Sequence, residues 1–93
     1  MKINISQIQN LPKISGVYRV TDNTGITIYI GQSKNIHDRW NSGHHKLGEI
    51  ISICGMNAYI EWVEVPEWLL NRAENAAICS CMPKLNRRIP PVV

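Results

Sequence analysis

The run Ser15-Gly16-Val17-Tyr18-Arg19-Val20-Thr21, then Asp22-Asn23-Thr24-Gly25, then Ile26-Thr27-Ile28-Tyr29-Ile30-Gly31 decides the fold. Both flanks are rich in β-branched and aromatic residues, which suit a pleated, half-buried surface. The polar centre is a turn signal, so the flanks read as a β-hairpin. A loop of two or four residues centred on Asn23-Thr24 sets Tyr18 opposite Tyr29 and Gly16 opposite Gly31. Directly opposed side chains share one face, with Cβ atoms ~4.5–5.5 Å apart. Val17, Ile26, Ile28 and Ile30 then form the core face, and the tyrosines take the less apolar face beside two glycines. A three- or five-residue loop breaks this register, because a slip of one residue turns a strand over.

Working outward, residues 4–10 read as a short helical turn ended by Pro12. Ser33 is placed to cap a helix beginning near Lys34, with Ile36 and Trp40 on its buried edge and Gly43 at its end. Residues 46–54 suit a second short helix, and residues 58–65 alternate as a third strand. A last helix starts at Pro66, with Glu67 near its amino end, and Pro83 stops it. Its apolar stripe runs Leu70, Ala73, Ala77, Ile78 and Cys81. These elements predict an α+β fold, a small three-stranded antiparallel sheet flanked by helices. One domain is expected over 1–93, with its motif-bearing core at 14–88.

Ninety-three residues leave no room for a second core, and a hydrophobic content of 44% is ordinary for a packed protein. No apolar run approaches the ~18–20 residues that span a membrane. Met1-Lys2-Ile3-Asn4 lacks the layout of a signal peptide, so a cytoplasmic location is expected. The three cysteines are an odd number, and Cys79 and Cys81 are spaced too tightly for a zinc knuckle. They read as small buried apolar side chains. The formal charge of +3, from ten Lys and Arg against seven Asp and Glu, is far milder than a dedicated nucleic-acid-binding stripe. Lys34, Arg39, Lys46, Lys84, Arg87 and Arg88 nevertheless gather around the motifs, which permits contact with a polyanion.

Glu74 falls inside the apolar stripe of the last helix, four residues after Leu70 and four before Ile78. A buried carboxylate must be neutralised, ion-paired or bound to a cation, and a magnesium-like ion commonly takes one carboxylate plus water and phosphate. A structural ion pair or a narrower stripe accounts for it equally. Tyr18 and Tyr29 suit packing as well as chemistry. Arg39 reads either as a solvated side chain or as a fork for two phosphoryl oxygens.

Taken in order, Gly16-Val17-Tyr18 and Tyr29-Ile30-Gly31 resemble the paired motif of the GIY-YIG nuclease family. The resemblance continues through Gln32-Ser33-Lys34-Asn35-Ile36-His37-Asp38-Arg39-Trp40, resumes at Ala73-Glu74, and ends at Pro83-Lys84-Leu85-Asn86. It therefore covers residues 16–86. Val17 stands for the usual isoleucine. Many relatives also carry a histidine or tyrosine four residues after the arginine, where this chain has Gly43, followed by His44 and His45.

The resemblance implies a divalent-metal-dependent endonuclease that hydrolyses DNA phosphodiester bonds with one Mg2+ or Mn2+ ion. Glu74 is then the metal ligand, and Arg39 offsets charge on the phosphoryl oxygens. Tyr18 orients or deprotonates water, Tyr29 holds the phosphate or its partner tyrosine, and Arg39, Lys34 or His44 are the candidate helpers. Gly31, Lys34, Asn86 and Arg87 are the implied substrate-binding residues, with Asn86 bracing the site. DNA is the expected partner, with specificity drawn from a homodimer or from a separate DNA-targeting domain or protein. The alternatives are a catalytically idle DNA-binding module of the same fold, or an interaction protein that presents Trp40, Trp62 and Trp68.

Overall fold

The computed structural model describes residues 2–43 and 46–81. Strands β1 (Lys2–Asn4), β2 (Gly16–Asp22), β3 (Thr27–Ser33) and β4 (Ala58–Glu64) form an antiparallel sheet in the order β1-β4-β2-β3. Helices α1 (Ile36–Asn41), α2 (Leu47–Cys54) and α3 (Leu70–Cys81) flank it, with 3-10 turns at Ile5–Asn10 and Glu67–Leu69. The α+β architecture is the expected one, but the sheet has four strands among the described residues rather than three. Three residues carry no periodicity of their own, so β1 exists through its partner: Lys2, Ile3 and Asn4 pair with Glu61, Ile60 and Tyr59. Asn4 then opens the first 3-10 turn, accepting from the Ser6 amide at 2.9 Å while Gln7 accepts from the Asn4 amide at 3.3 Å.

The hairpin corrects the expected register. Asp22 accepts from the Gly25 amide at 3.1 Å and donates its own amide to Ile26 at 3.0 Å, which leaves a three-residue loop with Gly25 at φ 91°. One Asp22 carboxylate oxygen also accepts from the Thr24 and Ile26 amides at 2.8 and 3.0 Å. A turn followed by a left-handed glycine is a common three-residue hairpin closure. That odd loop alone would turn one strand over. A β-bulge between Val20 and Thr21 adds a second slip, and the two together restore the original facing. Tyr18 therefore lies opposite Gly31 and Val20 opposite Tyr29, so the tyrosines share a face diagonally rather than as a direct pair.

The tyrosine face is also the principal core, contrary to expectation. Tyr18 and Tyr29 are buried there with Ile5, Leu11, Val20, Ile36, Trp40, Ile50, Ala58 and Ile60, and Ile28, expected on the other face, joins the same cluster beside the bulge. Helix α1 closes this face against the first 3-10 turn through Ile36 and Trp40. Its cap is Asn35, whose side chain accepts from the Asp38 amide at 3.1 Å; Ser33 remains in β3 and accepts from the Asn35 amide at 3.0 Å. Helix α3 covers β3 and part of β2 on the opposite face, burying Ile30, Leu70 and Ile78, while Ile26 stays half exposed in the turn. Cys79 is exposed, since it follows Ile78 and points away from the sheet-facing stripe. No helix among the described residues is long and apolar enough to cross a membrane.

Candidate functional site at the edge of β3

Strand β3 ends the sheet order, so one of its edges has no strand partner among the described residues. Chemistry-bearing side chains from both faces meet at this edge. From the core face, the Tyr18 ring lies across Gly31, where an added Cβ would sit 2.5 Å from the Tyr18 hydroxyl oxygen. Glycine at 31 thus lets a buried phenol pass over the strand backbone. Gly16 serves a different need, because a Cβ there would meet the Val63 carbonyl oxygen at 2.3 Å. Trp40 packs edge-on against Tyr18 with centroids 5.2 Å apart, and the Tyr29 ring lies 6.3 Å from Tyr18. These contacts fix the direction of both phenols.

Arg39 reaches the same place from α1. Its guanidinium donates a hydrogen bond to the Tyr18 hydroxyl, although its side chain is otherwise exposed. The Tyr18 pKa is nevertheless pushed above the ordinary tyrosine range, chiefly by burial and then by Tyr29; Arg39 pulls it down and Glu74 adds to the rise. Burial also raises Tyr29, with Glu74 adding to the rise and Arg39 opposing it. Arg39 and Glu74 each act electrostatically on both phenols, which places all four groups in one neighbourhood. Both tyrosines hold their protons at neutral pH.

Glu74 comes from α3 on the far side of the sheet. Its Oε1 accepts from Gln32 Nε2 at 3.2 Å, and the same Gln32 amide donates to Asn71 Oδ1. Asn71 and Glu74 are three apart on α3, so both face the end of β3. Gln32 and Asn71 are the site residues that sequence reasoning passed over. The available signal was a polar residue at a strand end beside a polar residue one helical turn before the stripe carboxylate. The Gln32 tie engages one carboxylate oxygen of Glu74. Among the described residues no group of three or more His, Cys, Asp or Glu could hold a metal ion. The donor set is one carboxylate, which suits a hard magnesium-like ion that keeps most of its waters and takes phosphate oxygens.

The structure therefore brings Tyr18, Tyr29, Gly31, Arg39 and Glu74 together. Lys34 stands at the rim in the turn between β3 and α1, its ammonium exposed and 3.9 Å from the Glu67 carboxylate. His44, Asn86 and Arg87 lie outside the described residues.

A family model described as the GIY-YIG catalytic domain matches residues 14–68. Among solved structures, the chain is similar to the GIY-YIG N-terminal endonuclease domain of UvrC from Thermotoga maritima bound to its catalytic divalent cation, magnesium. The TM-score is 0.70 at 29% identity, covering 87% of this chain and 92% of that one. A tyrosine-to-phenylalanine point mutant of that domain, also bound to its catalytic divalent cation, gives a TM-score of 0.72 at 29% identity, with 89% and 93% coverage. An asparagine-to-alanine mutant holding its cation gives 0.72 at 28% identity, with the same coverage. Comparison with curated proteins finds no match.

Proposed function

This chain belongs to the GIY-YIG catalytic-domain family, and from that premise we propose that it is a divalent-metal-dependent endonuclease hydrolysing DNA phosphodiester bonds. The convergence of Tyr18, Tyr29, Arg39 and Glu74 from β2, β3, α1 and α3 onto one open strand edge carries the reading. Glu74 is the residue that would hold the Mg2+ or Mn2+ ion. When bound, that ion supplies charge stabilisation on the phosphate and the leaving oxygen.

The remaining roles follow from what each side chain can do. Arg39, exposed apart from its bond to Tyr18, presents further N–H donors to the phosphoryl oxygens as negative charge builds there. Tyr18 starts as a neutral group that positions water. Taking the proton requires relief of its raised pKa, which cationic neighbours provide and for which Arg39, Lys34 and His44 are the candidates. Tyr29 holds the phosphate. Gly31 leaves room for the Tyr18 phenol to reach across the strand edge toward the substrate. Lys34 can leave its exposed pair with Glu67 for a phosphate at little cost, since such surface pairs are worth ~0–1 kcal/mol. Asn86 and Arg87 complete the substrate contacts, and a homodimer or a targeting domain or protein supplies specificity.

Supercoiled plasmid incubated with Mg2+, Mn2+ or chelator tests this. Nicking should need the metal, and Glu74→Ala and Arg39→Ala should each abolish it without changing the circular dichroism spectrum. Nicking by either variant at the wild-type rate would falsify the assignment. DNA binding without metal-dependent nicking would make the chain an idle module.

A further inference from the structure

Three tryptophans occupy three environments. Trp40 is 1% exposed in the core, Trp62 is partly buried against it, and Trp68 is 82% exposed. A solvated indole on a loose tail would mean little, but the segment around Trp68 is tied down. Leu69 donates to the Pro66 carbonyl at 2.9 Å, Leu70 is buried, Glu67 meets Lys34, and Asn71 bonds Gln32. Two of these ties run to the end of β3, which carries Tyr29, Gly31 and Gln32.

Trp68 is thus held at the rim of the site just described. Trp68, Asn71 and Glu74 step along the segment at intervals of three, a spacing that keeps successive side chains adjacent. Trp68 lies in the 3-10 turn, with ~2.0 Å of rise per residue, and Glu74 in α3, with ~1.5 Å, so the chain advances about 10 Å between them. Stacked nucleotides advance about 3.4 Å each along a strand, so this distance spans two to three nucleotides.

We propose that Trp68 is a substrate-contact residue on which an unpaired DNA base stacks when the scissile phosphate, two to three nucleotides away, sits at Glu74 and Arg39. The inference rests on the nuclease reading. Two observations favour a base over a protein partner. Trp68 stands between Glu67, which meets Lys34, and Asn71, which bonds Gln32, so whatever covers the indole also lies against the rim of the site; exposed Pro66 and part-buried Leu69 flank it, and Glu67, Asn71 and Arg72 are exposed and polar. The formal charge of +3 adds a mild attraction for a phosphate backbone, and aromatic stacking holds any base whatever its identity. The favoured substrate is therefore DNA with an unpaired or displaced strand, such as a junction or flap, in which a base is free to leave the stack.

Wild type, Trp68→Ala and Trp68→Tyr should be compared in two measurements. In chelator, titration with a single-stranded oligonucleotide should quench wild-type tryptophan emission, and Trp68→Ala should lack that component. Its dissociation constant should rise about tenfold, returning to within about twofold in Trp68→Tyr, with affinity for linear duplex unchanged. In Mg2+, KM for a junction substrate should rise by a similar factor while kcat holds. Wild-type affinity for single strands in a folded Trp68→Ala would overturn the proposal. So would loss in that variant of a concentration-dependent dimer, with DNA binding intact. Cutting by wild type with no effect of Trp68→Ala would sink Trp68 and spare the nuclease. Quenching through Trp68 by a protein that never cuts would keep the base contact and sink the nuclease.

Discussion

Tyr18 combines a hydroxyl in a hydrogen bond to Arg39 with a ring sealed in the core. Tyr18→Phe removes only the hydroxyl and keeps the ring against Trp40 and Gly31. Its melting temperature should stay near wild type while nicking falls at least about 100-fold, the scale of a lost proton-handling group. The same substitution should alter alkaline stability. Below about pH 10 both folded and unfolded chains keep the phenol proton, and Tyr18 adds no pH slope. Above it the unfolded chain releases the proton first, because burial raises the folded value, so stability falls as pH rises. Thermal melts between pH 8 and about 11.5 should show a shallower decline in Tyr18→Phe; an unchanged slope would mean the hydroxyl is no more buried than in the unfolded chain. At this scale the sequence was legible where a residue broke a pattern. Glu74 stood out as a carboxylate in an apolar stripe, whereas Gln32 and Asn71 offered only their polarity, at a strand end and one turn before that carboxylate, and their meeting depends on how β3 and α3 pack. Arg39, a solvated helix side chain by composition, became informative only through the motif around it.

Elements were legible in type and approximate span, because hydrophobic periodicity and turn residues report local structure. Register was not, since it depends on how two irregularities combine. A left-handed Gly25 makes the loop odd, and the Val20–Thr21 bulge makes it even again. Reading Asp22 to Gly25 as a turn was sound, but the bulge leaves no sequence mark. The cap of α1 moved from Ser33 to Asn35 for a similar reason: strand pairing with Gly16 keeps Ser33 in β3. The hairpin also invites a test at its own scale. A Cβ at Gly25 meets nothing within 4 Å, so a substitution there acts only through the backbone at φ 91°. Alanine in that region costs about 1–2 kcal/mol, which lowers the melting temperature of a domain this size by roughly 5–15 °C. Gly25→Asn should lose less, since asparagine tolerates the conformation. Equal melting of Gly25→Ala and wild type would show that the turn can take another form.

The whole molecule places its reactive groups where two packed layers meet at an open edge. Tyr18, Tyr29 and Arg39 belong to the core side, Glu74 belongs to the layer formed by α3, and β3 separates them. A ligand bridging Glu74 to groups on the core side therefore joins the two layers, and its binding must register in global stability. Anything that binds only the folded chain stabilises it by RT ln(1 + [L]/Kd), about 1.4 kcal/mol at ten times Kd. For a domain of this length that amounts to a rise in melting temperature of about 5–10 °C. Mn2+ or Mg2+ at such a concentration should raise the melting temperature of wild type, and chelator should reverse it. Glu74→Ala should show no rise, because the proposed site draws on this carboxylate and no cluster of three or more His, Cys, Asp or Glu among the described residues offers another. Gln32→Ala should show a smaller rise than wild type, having lost the bond that orients Glu74. An equal metal-dependent rise in Glu74→Ala would move the ion to other residues and detach the candidate site from its cofactor.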